Sequence, residues 1–212
     1  MRYHPREPMM SRTPPEDTVN RMLHVSVVVA VLALVVALPA AAQPANYKIL
    51  ATNKTSTMEK ELKEAGALGY RFVSVMGGET GFGGSEAVVL LEKAQDDKNT
   101  YNYRLLATNR TSTLQKELQE AGEAGYHAVG QTVFESMFGG RETVAIVQKS
   151  SDQNAAVQYE YKLVATSKTS TLERELREVT EAGFQAIDLT VGKTAMGGSE
   201  IVVITRRPLK AQ

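Results

Sequence analysis

The alternation of apolar and polar positions changes period in the same way three times along the chain. Short runs rich in aromatic and aliphatic residues, YKILAT from Tyr47, YRLLAT from Tyr103 and YKLVAT from Tyr161, predict a first strand in each repeat. Apolar positions then fall four and three apart, at Met58, Leu62 and Ala65, at Leu114, Leu118 and Ala121, and at Leu172, Leu176 and Val179. That spacing predicts three amphipathic helices, each burying one face. The opposite face carries Glu59 with Lys63 and Glu173 with Arg177, spaced for i,i+4 ion pairs. Ser56-x-x-Glu59, Ser112-x-x-Gln115 and Ser170-x-x-Glu173 match a capping box, so each serine is expected to cap its helix. Gly69, Gly125 and Gly183 are expected to end the helices as left-handed C′ residues. Apolar segments from Tyr70, Tyr126 and Phe184 then read as second strands. After a glycine-bearing loop, runs such as EAVVLLE from Glu86 read as third strands.

These elements belong to three copies of one 47-residue unit, Tyr47 to Lys93, Tyr103 to Lys149 and Tyr161 to Arg207, which align without an insertion. Fourteen columns are identical in all three, among them Ala-Thr at 51, 107 and 165, Thr-Ser-Thr at 55, 111 and 169, and Gly-Gly-x-Glu at 83, 139 and 197. The expected organisation is a leader over 1–42, a first module over 43–93, a linker at 94–102, a second module over 103–149, a linker at 150–160, a third module over 161–207 and a tail at 208–212. The fold class is α+β: three tandem βαββ modules, each a three-stranded, mostly antiparallel sheet in the order 1-3-2 with one helix on a face. A right-handed β-α-β crossover followed by a hairpin favours that order. A unit this small has a thin core and bare strand edges, so the copies are expected to pack together or to pair edges. Self-association through the same edges stays open.

The Tyr-x-aliphatic first strand, the helix ending in Gly-aromatic at Gly69-Tyr70, Gly125-Tyr126 and Gly183-Phe184, and the last strand ending in Lys or Arg give each copy a resemblance to small bacterial βαββ domains of unknown function. Those domains carry a Tyr-Lys strand and a Gly-Trp after the helix. This chain has no Trp, and its Gly-Gly-x-Glu hairpin departs from that pattern. The resemblance implies the fold and implies no activity.

Ahead of the repeats, residues 23–38 form the apolar run LHVSVVVAVLALVVAL, preceded by Arg21 and followed by Ala40 and Ala42 at the small-residue positions of a signal peptidase site. This pattern predicts export, with cleavage after Ala42 and a periplasmic or extracellular protein. The alternative is an uncleaved single-pass anchor over 22–42, the only membrane contact expected. The chain has no cysteine, so no lipid-anchored cysteine can follow the run, and the fold must be held by its core rather than by disulfides.

Charge and composition then narrow the chemistry. The 24 basic and 24 acidic side chains balance, and residues 43–212 hold 20 against 21. Without a basic surplus, a nucleic-acid partner is not expected. With no cysteine and only His4, His24 and His127, thiol catalysis, cysteine zinc sites and histidine triads have no residues to draw on. His127 occurs in one copy, where the others carry Arg71 and Gln185, and reads as a solvated strand residue. Ser56, Ser112 and Ser170 lack a neighbouring base, so capping explains them better than nucleophilic catalysis. The hydroxyls and cations Lys54, Thr55, Arg110, Thr111, Lys168 and Thr169 stand where a helix N-terminus could hold an anion. Glu59 and Glu173 would repel one there, and only the second copy, with Gln115, escapes that objection. The loop from Gly77 to Gly84 precedes a strand, whereas phosphate-cradling loops open a helix, so its glycines read as hairpin geometry. Apolar Phe82, Phe138 and Met196 at the loop tips are candidate partner contacts. Glu86, Glu142 and Glu200 open the third strands, and an ion pair with Lys54, Arg110 or Lys168 is a simpler role for them than a metal site shared with Glu61, Glu117 and Glu175. No metal, cofactor or catalytic residue is expected.

The function these readings favour is that of an exported, non-enzymatic repeat protein, a binding or scaffold module whose partner is a protein or polymer of the cell envelope. One rival is a hydrolase of envelope polymers with an inter-module carboxylate site such as Glu86 with Glu142. A second rival is a membrane-tethered interaction module.

Overall fold

The computed structural model describes residues 46–79, 85–93, 97–136, 140–152, 157–193 and 199–209. The leader at 1–42 and the loop-tip residues Phe82, Phe138 and Met196 lie outside the described residues. The first module comprises β1 (Asn46–Thr52), α1 (Thr55–Ala67), β2 (Arg71–Glu79) and β3 (Ser85–Lys93). The second comprises β4 (Tyr101–Thr108), α2 (Thr111–Glu123), β5 (His127–Ser136) and β6 (Gly140–Ser150). The third comprises β7 (Tyr159–Thr166), α3 (Thr169–Glu181), β8 (Gln185–Lys193) and β9 (Ser199–Pro208). Each module forms a three-stranded sheet in the order first, third, second, and every strand pairing is antiparallel. The expected βαββ arrangement is present three times. Strands β4 and β7 begin at Tyr101 and Tyr159, slightly inside the segments read as linkers.

The helix ends follow the glycines. Gly69, Gly125 and Gly183 have φ of +86°, +80° and +86°. At the first, the Gly69 N–H donates to Gly66 O at 2.9 Å and the Tyr70 N–H to Ala65 O at 3.1 Å, and the other two helices repeat both bonds. This is the Schellman arrangement, which satisfies carbonyls that a helix end otherwise orphans.

The helix starts differ from the capping-box expectation. The N-cap residues are Lys54, Arg110 and Lys168, in extended conformation and with no side-chain cap bond, so Ser56, Ser112 and Ser170 lie inside the first turn. The threonine two residues before each N-cap shapes the entry instead. Thr52, Thr108 and Thr166 Oγ1 accept from the N–H of Lys54, Arg110 and Lys168 at 3.2, 3.1 and 3.3 Å, a local side-chain turn that leads the strand into the helix. On the helix faces, Lys63 pairs with Glu59 at 2.9 Å as expected, whereas in α3 Arg174 reaches Glu178 at 4.0 Å rather than Arg177 reaching Glu173.

The modules stack as layers rather than joining edges, because the three sheets remain separate. Met58, Leu62 and Ala65 of α1 share one buried cluster with Ala87, Val89 and Leu91 of their own sheet and with Tyr101, Tyr103, Val144 and Ile146 of the next. The pattern recurs one module on, where Leu114, Leu118 and Ala121 of α2 pack between Ala145 and Val147 on one side and Tyr161 and Ile204 on the other. Both α1 and α2 are therefore sandwiched between consecutive sheets. The third cluster contains module-three residues alone, and of the α3 stripe only Val179 is fully buried. Strand β6 records the sandwich in its burial, with Val144 to Gln148 all buried, as expected for a strand covered on both faces. By contrast β3 alternates, with Ala87, Val89 and Leu91 buried and their neighbours less so.

Two glycines inside helices let the layers approach. A Cβ on Gly66 would lie 2.1 Å from Tyr101 O, and one on Gly122 would lie 2.2 Å from Tyr159 O. In α3 the same position is Thr180, exposed, with its hydroxyl donating to Leu176 O at 2.7 Å.

Candidate interaction surface

The junction between modules two and three explains which side chains the sequence left without a role. Gln115 and Gln119 project from α2 onto the open edge of β7. Gln115 Nε2 donates to Tyr161 O at 2.8 Å, while its Oε1 accepts from the Leu163 N–H at 2.7 Å. Gln119 Oε1 accepts from the Tyr161 N–H at 3.0 Å. An edge strand's unpaired amides are thus closed by glutamines of the preceding helix. The Tyr161 hydroxyl accepts from the Ala128 N–H at 2.7 Å, and at the earlier junction the Tyr103 hydroxyl donates to Tyr70 O at 3.0 Å. Burial pushes both phenols above the ordinary tyrosine value. Gln131 completes the junction by donating from Nε2 to Asp188 O and Val202 O at 2.8 and 3.0 Å, while its N–H donates to Asp188 Oδ2 at 2.8 Å.

His127 belongs to this junction, which corrects its reading as a solvated residue. It is half-buried, its ring lies 6.4 Å from that of Tyr159, and burial together with nearby Arg206 holds its pKa below the ordinary value. The segment read as the first linker is also tied down. The Tyr101 hydroxyl donates to Asp97 Oδ2 at 2.7 Å, and Asp97 Oδ1 accepts from the Asn99 N–H at 2.9 Å. Burial and the Asp97 bond push the Tyr101 phenol up to about 12, while the same bond lowers Asp97.

The anion candidates lie at three helix starts in three different layers. Lys54, Arg110 and Lys168 are exposed N-cap residues, and Thr55, Thr111 and Thr169 each begin a helix. At the second start, a cleft lined by Thr108, Arg110, Thr111, Thr143, Gly192 and Glu200 has space for about one water molecule. Glu200 from module three enters it, with Thr111 Oγ1 at 3.4 Å from its Oε2, a long contact. The second copy therefore meets an acid after all, delivered by the next module rather than by its own helix. Among the described residues, no ion pair joins Lys54, Arg110 or Lys168 to an acid, and no group of three or more acidic or histidine side chains could hold a metal ion. Glu117 Oε2 is buried without a hydrogen-bond partner, and burial followed by the nearby Glu120 charge raises its pKa.

The carboxylates Glu86 and Glu142 lie on different layers. Glu86 shares a face of β3 with Val88 and Leu90, opposite the side that Ala87, Val89 and Leu91 turn toward α1. Glu142 shares a face of β6 with Val144 and Ile146, which pack against α1 from its far side. Glu86 is thus on the face of sheet one turned away from sheet two, and Glu142 is on the face of sheet two turned toward sheet one.

The outer face of sheet one is what sequence reasoning missed. It carries Tyr47, Ile49 and Ala51 on β1, facing Glu92, Leu90 and Val88 across the ladder, with Met76 beside Val88 on β2. Tyr103 and Tyr161 hold the same place in their modules and are 1% and 3% exposed beneath the preceding helix. Tyr47 is 59% exposed, Ile49 66% and Met76 74%. A second, smaller exposed apolar pair, Leu189 and Val191, lies on β8. No described helix is long and apolar enough to cross a membrane. Comparison of the chain with protein-family models, with curated proteins and with solved structures returns no match.

Proposed function

We propose that the chain is an exported, non-enzymatic interaction module, a stack of three βαββ units that presents one apolar sheet face to a partner in the cell envelope. The exposure of Tyr47 and Ile49, where equivalent tyrosines are covered, carries this reading. An apolar face of this kind is a recurrent mark of an interaction site. The absence of cysteine from the chain and the scarcity of histidine support a non-enzymatic role. A hydrolase would need two carboxylates converging on one space, and Glu86 and Glu142 face different layers. Export rests on the apolar run over 23–38 and the Ala-x-Ala exit at 40–42.

A photoreactive amino acid at position 47, compared with one at exposed Lys116, tests the reading in cells. Discrete adducts specific to position 47, on protein whose N-terminus is Gln43, are the expected result. No adduct above the Lys116 background would overturn the interaction role, and an N-terminus upstream of residue 22 would overturn export with cleavage.

A further inference from the structure

We infer that the outer face of sheet one is an acceptor for the amphipathic helix of a further βαββ module, supplied by another polypeptide, whose helix carries glycine at the position held here by Gly66, Gly122 and Thr180. The inference rests on the interaction role proposed above and names its partner. The molecule shows twice what covers this face. Sheet two receives α1 on Tyr103, Val144 and Ile146, and sheet three receives α2 on Tyr161 and Ile204. Sheet one repeats the receiving residues as Tyr47, Val88 and Leu90, with Ile49 beside them, and no described helix lies on them. The vacant face is a continuation of an interface already formed twice.

Geometry then limits what the incoming helix can be. At both internal junctions the donor helix needs glycine, since a Cβ would come within 2.1 to 2.2 Å of a backbone carbonyl of the receiving strand. Such a clash falls on backbone and cannot be relieved by a side-chain rotation. The chain's own uncovered helix, α3, has Thr180 at that place, whereas its Glu173 and Arg177 match Glu59 and Lys63 of the docked α1, so the threonine is what sets α3 apart from both docked helices. Copies of this chain are thereby kept from adding head to tail, a contact that would otherwise propagate into a ring or filament. A polar outer helix is also how stacked repeats end. One end of the stack is closed against its own kind while the other keeps a receptive apolar face.

Grafting the α2 contact residues onto α3 of the full chain, as Glu173→Gln, Arg177→Gln and Thr180→Gly together, supplies a defined probe. By sedimentation velocity the wild type is expected to remain monomeric and the grafted chain to self-associate with concentration, at least tenfold more tightly. Tyr47→Glu with Ile49→Glu in the grafted chain should abolish that association, and excess wild type should shorten the oligomers by capping them. Circular dichroism checks that each variant folds, and Thr180→Gly alone replaces the triple variant if the latter does not. A folded grafted chain that stays monomeric, or association indifferent to positions 47 and 49, would overturn the acceptor assignment. Wild type that oligomerises through Tyr47 would instead make a second copy the occupant and overturn the foreign module. Adducts at position 47 in cells combined with a monomeric grafted chain would leave the interaction role standing and refute only the helix as its partner.

Discussion

Replacing Gly122 by alanine sets two effects of opposite sign against each other. Glycine inside a helix costs about 0.8–1.0 kcal/mol relative to alanine, so α2 considered alone should be stabilised. In the stack, however, the new Cβ would lie 2.2 Å from Tyr159 O and 2.8 Å from Tyr161 Cε2, and the nearer atom is backbone. Module three must move away. Overpacking of this kind costs about 1–3 kcal/mol. The movement also strains the bonds from Gln115 and Gln119 to Tyr161 and Leu163 at 2.7 to 3.0 Å, each worth about 0.5–1.5 kcal/mol. Taken together, the junction outweighs propensity, and a net loss of about 1–3 kcal/mol is expected. In a body of this size that lowers the melting temperature by roughly 2–4 °C per kcal/mol. Thr180→Ala is the matched control, because no described layer lies on α3, and it should change stability by less than about 0.5 kcal/mol. Urea denaturation followed by circular dichroism reads both. A Gly122→Ala protein more stable than wild type would refute the layered packing.

Further predictions address single contacts. Tyr161→Phe removes the acceptor of the buried Ala128 N–H and should cost about 1–3 kcal/mol in urea unfolding, whereas a neutral result would deny that bond. Gly183→Ala meets open space and carries only the left-handed backbone term of about 1–2 kcal/mol, while Gly69→Ala adds contact with Asn99 O at 3.1 Å and should cost more. Tyr101, Tyr103 and Tyr161 have folded pKa values above the unfolded value of about 10, so the folded state favours their neutral forms. Stability should therefore hold below pH ~10 and fall as pH rises toward ~12, and an unchanged urea midpoint at pH 11 would contradict this. Glu117 has a raised folded pKa, so its ionised form weakens the fold above the unfolded value and the penalty fades as pH falls. Glu117→Gln should raise stability at pH 7 and do so less near pH 4, as thermal unfolding at the two pH values would show.

The module was legible because its signals are local. A period-2 run, a four-three apolar stripe and a glycine before an aromatic residue each report on neighbours within a few positions, and the Schellman bonds at Gly69, Gly125 and Gly183 follow from them. The capping-box reading failed because a serine in the first turn and a serine at the N-cap fit the same spacing. The deciding group, the hydroxyl of Thr52, Thr108 or Thr166, lies on the strand side of the boundary. Of the two expected arrangements, packing of the copies and pairing of their edges, the layers realise the first, and two traces of it stand in the sequence. Gly66 and Gly122 occupy helix interiors at glycine's larger propensity cost while α3 has Thr180 there, which marks close approach at the two junctions and none on the outer helix. Likewise, VAIV at Val144 to Val147 in β6 is a continuous apolar run, the pattern of a strand covered on both faces. The exposed face of sheet one could not be seen from its own residues, because Tyr47 and Ile49 resemble the buried Tyr103 and the partly buried Leu105 until one knows that no described helix covers them.

The absence of cysteine makes the central claim directly measurable. Single cysteines at Ile49, Val144 and Val202, all on the same face of their respective sheets, can be labelled with a maleimide in purified protein and in native envelope. The account predicts fast labelling at position 49 in purified protein, protection at 144 and 202, and protection at 49 once the envelope partner is present. Labelling at 49 as slow as at 144 in purified protein, or equally fast with and without the envelope, would contradict it.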